Sequence, residues 1–232
     1  MTVLSACQTA SRLMGLSAPT QVYGSTSRYE IELQAIANEA AKSIAKSHDW
    51  RKFTTLKTQA GDGSDTSFAL PSDYDRMPVK AAVWLTSSEE PMLAITDLDQ
   101  WLRNRLENFT PTTGEWIILG GELQIYPAMA STDSAKFYYQ SNKIVMAEDA
   151  STKTEFTVDT DSFRLDERML ALEIIWRWRS MKGLEYAEDM QNAEIAKSQE
   201  IARDKGSRIL SIGRVRMPDD AAHAYPFTLS AS

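Results

Sequence analysis

The chain has 232 residues, 43% of them apolar, with 25 basic against 32 acidic groups for a net charge of −7. With a mean hydropathy of −0.36, this composition excludes a disordered or collagen-like chain and fits a globular protein of one large or two small domains. No apolar run approaches the roughly 20 residues of a membrane-spanning helix, and the N-terminus MTVLSACQTASRLMG lacks the basic start and long apolar stretch of a signal peptide. The expectation is a protein that folds where it is made, with no membrane partner.

The segment VLSACQTASRLMGL reads as a short helix ending near Gly15, followed by a connection from Pro19 to Gly24. A longer helix follows in STSRYEIELQAIANEAAKSIAKSHDW, with Ser27 and Glu30 spaced as a capping box. Tyr29, Leu33, Ile36, Ala40 and Ile44 repeat at helical spacing and predict one buried stripe. After Trp50 the texture changes to short β-branched and aromatic runs between turn residues: FTTLKTQ, TSFALP, then VKAAVWLT and PMLAIT across SSEE. Leu98, Trp101, Leu102 and Leu106 mark a short helix capped by Thr96 or Asp97. EWIIL-GG-ELQIYP is the clearest hairpin, since Gly120 and Gly121 supply the positive φ angles of a two-residue primed turn. AKFYYQSNKIV predicts a further strand, and TEFTVDT a last one.

From Asp161 the helical pattern returns and runs to about Lys205, interrupted at Gly183. A left-handed cap at Gly183 predicts an antiparallel pair over 162–182 and 185–205; one kinked helix is the alternative. The first of these helices contains IIWRWRSM and is apolar on two sides, with Met169, Leu172 and Trp176 on one and Leu170, Ile174, Trp178 and Met181 on the other. Such a helix must be packed on both sides, by its own fold or by a neighbouring subunit. Tyr186, Met190, Ala193 and Ile201 give the second helix a weaker stripe. The fold class expected is α+β: a helical bundle, made of N-terminal helices and a long C-terminal helix pair, with an inserted antiparallel β-rich domain and an extended C-terminal arm. The boundaries read 1–50 for the N-terminal helices, 51–160 for the insertion with its one short helix, 161–206 for the helix pair and 207–232 for the arm.

Chemistry-bearing motifs are scarce. No phosphate loop, dinucleotide fingerprint, nucleophile elbow or zinc-protease helix is present. Cys7 is the only cysteine and His48 and His223 the only histidines, so neither an internal disulfide nor a Cys/His zinc set can be built. Cys7 reads as a small buried hydrophobe. GDGSD at 61–65 lacks the ligand spacing of a calcium loop and reads as a turn. Asp73 with Asp75, and Asp97 with Asp99, are carboxylate pairs of the glycosidase type, but turn and cap roles explain both. His48, near a helix C-terminus, reads as structural. No catalytic, cofactor or metal residues are assigned. The alternation Trp176-Arg177-Trp178-Arg179 could form a stacking platform for single-stranded nucleic acid, yet its apolar surroundings favour packing, with the arginines paired to carboxylates such as Glu173 or a neighbour's acids. The charge is uneven: residues 1–49 balance at 0, residues 50–160 carry −6 and residues 161–232 carry −1. An acidic middle opposes nucleic-acid wrapping. The terminal RILSIGRVRMPDDAAHAYPFTLSAS is more apolar than a solvated tail needs, and an arm that orders on a partner is the sharper reading.

The succession of motifs resembles the head-to-tail adaptor, or connector, proteins of tailed bacteriophages, prophages and gene transfer agents. DWRKFTTLKTQAGDGSDTSFALPSDYDRM is similar to their opening of the β region, GGELQIYPAMA to the hairpin that follows, and DERMLALEIIWRWRSMKGLEYAED to the closing helix pair, together covering about residues 26–206. Met129 departs from the second proline often found there in relatives, and the terminal tail has no clear signature. The resemblance implies a structural, non-enzymatic virion protein without cofactors, made in the bacterial host cytoplasm and placed at the neck. It implies a dodecameric ring beneath the portal protein that extends the DNA channel and docks the tail. Its implied partners are the portal, adjacent copies, downstream neck or tail proteins, and genomic DNA passing without sequence-specific binding. Arg208, Ile212, Arg214, Arg216, Tyr225 and Phe227 would then form an arm that contacts the portal, and Trp176, Arg177, Trp178 and Arg179 a packing surface between subunits. Alternatives are another neck component, such as a stopper or tail completion protein, a carbohydrate- or calcium-binding β module, and a nucleic-acid-binding packaging factor, which the net charge opposes.

Overall fold

A computed structural model describes residues 2–79, 81–88, 90–107 and 112–205. The predicted arm, with Arg208, Ile212, Arg214, Arg216, Tyr225 and Phe227, lies outside the described residues. Among those described, the elements in chain order are α1 Val3–Leu13, α2 Arg28–Lys46, β1 Thr54–Ala60, β2 Ser67–Ala69, β3 Tyr74–Arg76, β4 Trp84–Leu85, β5 Leu93–Ala94 and α3 Leu98–Leu106. They continue with β6 Glu115–Leu119, β7 Glu122–Tyr126, β8 Ser134–Ser141, β9 Val145–Met146, β10 Thr152–Lys153, β11 Ser162–Phe163, α4 Glu167–Met181 and α5 Ala187–Lys205. The fold is α+β.

The helices form where local chemistry favours them. Thr2 and Ser5 cap α1 reciprocally, each side chain serving the other's backbone N–H. On α2 the expected capping box is absent: Ser27 is the N-cap but its side chain makes no cap bond, and the Glu30 carboxylate accepts from Ser25 Oγ at 2.5 Å instead of from the Ser27 N–H. Leu33, Ile36, Ala40 and Ile44 do point inward, and the small Ala37 and Ala41 beside them let neighbouring helices approach closely. Together with Val3, Ala6, Cys7, Met169, Leu170 and Ile174 they make the larger core. Ile144, Val145, Phe156 and Phe163 join that same core, bringing the small antiparallel sheet β10-β9-β11 onto the helices.

A second core lies between two further sheets. In one, β8 is central, with β1 along one edge and β3 and β4 sharing the other. The other runs β2-β7-β6-β5, antiparallel except for the parallel β5–β6 pair. Phe68, Val83, Leu123, Ile125, Phe137 and Tyr139 fill the space between their inner faces. The expected Gly120-Gly121 turn joins β6 to β7, with φ of +64° and +83° and Leu119 opposite Glu122.

Several elements differ from the sequence expectation, each through a specific strand pairing or side-chain contact. The runs over 79–86 and 91–96 meet only at a short antiparallel bridge, Trp84 opposite Pro91 with Met92 N–H donating to the Val83 carbonyl at 2.9 Å, and then part: β4 pairs with β8, whereas β5 enters the other sheet beside β6. Asp73 sits in a turn as expected, but Tyr74–Arg76 form strand β3 because Tyr74 and Arg76 pair with Ser141 and Gln140 of β8, with the Arg76 side chain held by Asp49 at 3.1 Å. TEFTVDT is not a strand, since side chains capture its donors: Phe156 N–H bonds Asn38 Oδ1 at 2.8 Å, and Thr157 and Val158 N–H bond Asp161 at 2.7 and 3.1 Å. Residues 162–163 form β11 rather than a first helical turn, because Asp166 caps α4 by accepting from Met169 N–H at 3.0 Å.

The leucines of α3 also correct the expectation. Trp101 and Asn104 are buried, whereas Leu98, Leu102 and Leu106 are exposed. The guanidinium of Arg105 lies between the rings of Trp101 and Tyr126, 3.8 and 3.7 Å from their centroids, and Asn104 Nδ2 donates to the buried Glu115 at 2.8 Å. These contacts turn the polar side of the helix inward. On α5 the buried residues are Ala193 and Ala196, while Tyr186 and Met190 are largely exposed.

Candidate interaction surface

The chemistry-bearing side chains noted in the sequence hold structure locally. Asp62 accepts from the N–H groups of Ser64 and Asp65 at 2.9 and 2.7 Å, closing the GDGSD turn, and these bonds hold its carboxyl below the usual range. Asp73 accepts from Ser141 Oγ at 2.7 Å and Tyr139 Oη at 2.8 Å. Burial works to raise its pKa, but those bonds outweigh it and the net shift is downward. Asp75 pairs with Arg76 at 2.6 Å, and Asp97 caps α3 by accepting from Asp99 N–H. His48 packs edge-to-face on Trp50 with its Nε2 3.4 Å from Asp204. Burial, first, and the nearby Asp159 and Glu167 charges push the Cys7 thiol up to about 12.

The closing helix pair presents a different arrangement. At Gly183, φ of +67° turns the chain out of α4. The contacts between α4 and α5 pair Arg179 with Asp189 at 2.5 Å and Glu173 with Lys197 at 3.9 Å. Positions that fall on one helix as they rise on the other define an antiparallel pair. The helix α4 is surrounded within its own chain, packing against α1, α2 and α5.

The two tryptophans of the Trp-Arg run point differently. Trp178 faces α2, meeting Tyr29 edge-to-face at 6.3 Å with Lys182 Nζ 5.7 Å above its ring, and its indole N–H is buried without a partner among the described residues. Lys182 continues to Glu32 at 2.6 Å, and the bonds from Lys182 and then Arg28 hold Glu32 below the usual carboxylate range. Trp176 lies toward α5, 6.3 Å from the Tyr186 ring, and donates to Glu173 Oε2 at 2.7 Å. The same buried carboxylate accepts from Arg177 Nε at 3.1 Å, the pairing the spacing suggests. Arg179 finds its acid across the turn rather than on its own helix. Tyr186 beside Trp176, and Met181, Leu184 and Met190 around the same helix turn, are exposed. The result is an apolar ridge at the helix turn, underlain by ion pairs.

At its other end α5 is tied to the start of the β region. The Asp204 carboxylate accepts from Arg51 N–H at 3.2 and 3.3 Å, and Arg51 Nη2 donates to the Lys205 carbonyl at 3.3 Å. Sequence periodicity could not reveal this clamp, because its partners are 153 and 154 residues apart. A cleft of about 210 Å³ opens between α2 and the β8 sheet, with Ala45, Phe53 and Ile144 among its apolar walls; Phe53 lies two residues from Arg51 in the chain.

No described helix is long and apolar enough to cross a membrane. No curated protein sequence matches this chain. The family model described as SU10 adaptor protein matches residues 1–224, spanning both cores, the helix pair and the clamp. The chain therefore belongs to the SU10 adaptor protein family.

Proposed function

We propose that the protein is a structural, non-enzymatic component of a tailed-phage virion, a head-to-tail adaptor that assembles as a dodecameric ring beneath the portal, extends the DNA channel and docks the tail. The observation that carries the reading is the match of an adaptor family over residues 1–224 to a chain whose carboxylate pairs and histidine serve turns, caps and ion pairs. The portal is the proposed target of Arg208, Ile212, Arg214, Arg216, Tyr225 and Phe227. Trp176, Arg177, Trp178 and Arg179 supply lateral packing in this reading, with Trp178 bracing the subunit's own bundle and Trp176 supporting the exposed ridge. A ring closes by a heterologous contact in which each subunit meets two neighbours through different surfaces. The acidic excess of residues 50–160 keeps passing DNA from adhering. The domains in this reading are the four spans 1–50, 51–160, 161–206 and 207–232.

Mass determination in solution, with and without the portal of the same phage, tests the proposal. The full chain is expected to join the portal as a ring, and a chain ending at Lys205 to remain apart. If neither associates with the portal, the adaptor position beneath it is wrong.

A further inference from the structure

The sheet built on β8 has a second face that its own core does not use. Directly opposed residues of an antiparallel pair lie on one face. Leu56 of β1 opposes Tyr138, and Trp84 of β4 opposes Lys136, two positions along β8 on that same side. Their exposures are 51%, 56% and 43%, whereas Phe137 and Tyr139, on the alternate positions, are buried. Two residues further along β8, Thr54 opposes Gln140, and Gln140 lines the cleft between α2 and the β8 sheet. The apolar face and the cleft are thus continuous.

The cleft itself is incompletely satisfied. Phe53 and Ile144 form an apolar floor, and the side-chain oxygens of Gln140 and Asn142, both lining residues, are buried without hydrogen-bond partners among the described residues. Buried acceptors of this kind attract a donor such as a backbone N–H or a phenol. Lys42, Lys46 and Arg76 line the cleft against one acid, Asp75, and Lys136 lies on the sheet face, so an occupant carrying carboxylates is favoured.

We propose that this cleft and the Leu56–Tyr138–Trp84 face together hold residues 217–232 of the same chain. The chain beyond Lys205 begins at the clamp on Arg51, only five residues before Leu56. The eleven intervening residues, 206–216, reach roughly 40 Å, against a length of about 20 Å for β1, so the segment can lie anywhere along the strand. Its chemistry matches: Asp219 and Asp220 for the lysines, Tyr225 as an aromatic donor, and Phe227 and Leu229 for the apolar face. The basic stretch through Arg208, Arg214 and Arg216 is repelled by the same lysines and acts as the connecting span. This goes beyond the portal-docking reading and does not depend on it, because it concerns the free subunit.

The test uses the full chain carrying Thr58→Cys, an exposed position on the same face as Leu56. Cys7, the one native cysteine, is buried, so maleimide reports the engineered thiol. Labelling is expected to be about tenfold slower than in the same chain with Tyr225→Ser and Phe227→Ser, and Leu56→Asp alone is expected to restore the faster rate. Equal rates in all three overturn the proposal. Protection that grows with protein concentration overturns it too, by giving the face to a second copy. Portal binding is not part of the readout, so a failed adaptor position and an unoccupied face remain distinguishable.

Discussion

The carboxylate of Glu173 shows how much rests on single buried acids. It accepts from an indole, a guanidinium and, at longer range, the ammonium of Lys197, all while sealed from solvent. Glu173→Ala strands the indole N–H of Trp176 and the guanidinium of Arg177, while Lys197 keeps Glu194, and urea unfolding is expected to show a loss of about 3 kcal/mol. A loss below about 0.5 kcal/mol would mean that water replaces the carboxylate without cost. Asp161 behaves similarly but adds a pH dependence. Burial raises its pKa, while the ammonium of Lys153 and the N–H groups of Thr157 and Val158 pull it down and prevail, leaving it below its ordinary 3.8. A carboxyl whose folded pKa lies below its unfolded one contributes stability that is fully present above the unfolded value and drains away as pH falls through the folded value. Asp161→Asn should therefore lower stability at neutral pH and flatten the stability-versus-pH curve below about pH 4. An unchanged acid limb would assign that dependence to other groups.

Among the elements, α3 makes the sharpest contrast between pattern and packing. Its leucines carry the helical repeat, yet its buried anchors are Trp101 and Asn104. Trp101→Ala is expected to cost about 3–5 kcal/mol in chemical denaturation, and Leu102→Gln to stay within about 0.5 kcal/mol. Comparable losses would show that the helix packs by its leucine stripe after all. The long helices and the Gly120-Gly121 hairpin were legible because periodicity, capping and primed turns are local properties. Local rules could not reveal that β4 and β5 enter different sheets, or that Asn38 takes the amide of Phe156, because those partners lie elsewhere in the chain; the turn that Asp161 closes on Thr157 and Val158 is local but carries no strand or helix periodicity. The candidate surface divides the same way. Arg177 with Glu173 follows from helical spacing, whereas Lys182 with Glu32 and Trp176 beside Tyr186 require the assembled bundle. The exposed face of β8 needed the strand register itself.

At the scale of the whole molecule, the net charge of −7 bears on the proposed channel. The purified chain is expected not to retard duplex DNA in a gel at about 50 mM salt, where a phosphate-gripping surface binds well. Retardation that weakens steeply with added salt would instead point to a DNA-binding role. The clamp at Asp204 and Arg51 also gives the subunit a mechanical axis. A pull on the chain beyond Lys205 loads α5 through the backbone and, through the hydrogen bonds at Asp204 and Lys205, also Arg51, where the helical region hands over to β1. From there the load runs along β1 into seven paired positions of β8, so the hydrogen-bonded rungs are sheared together instead of being unzipped one by one. Tension on the terminus is thereby shared between the helices and the sheet, and the subunit can be tugged by a bound partner without first unwinding its own closing helix.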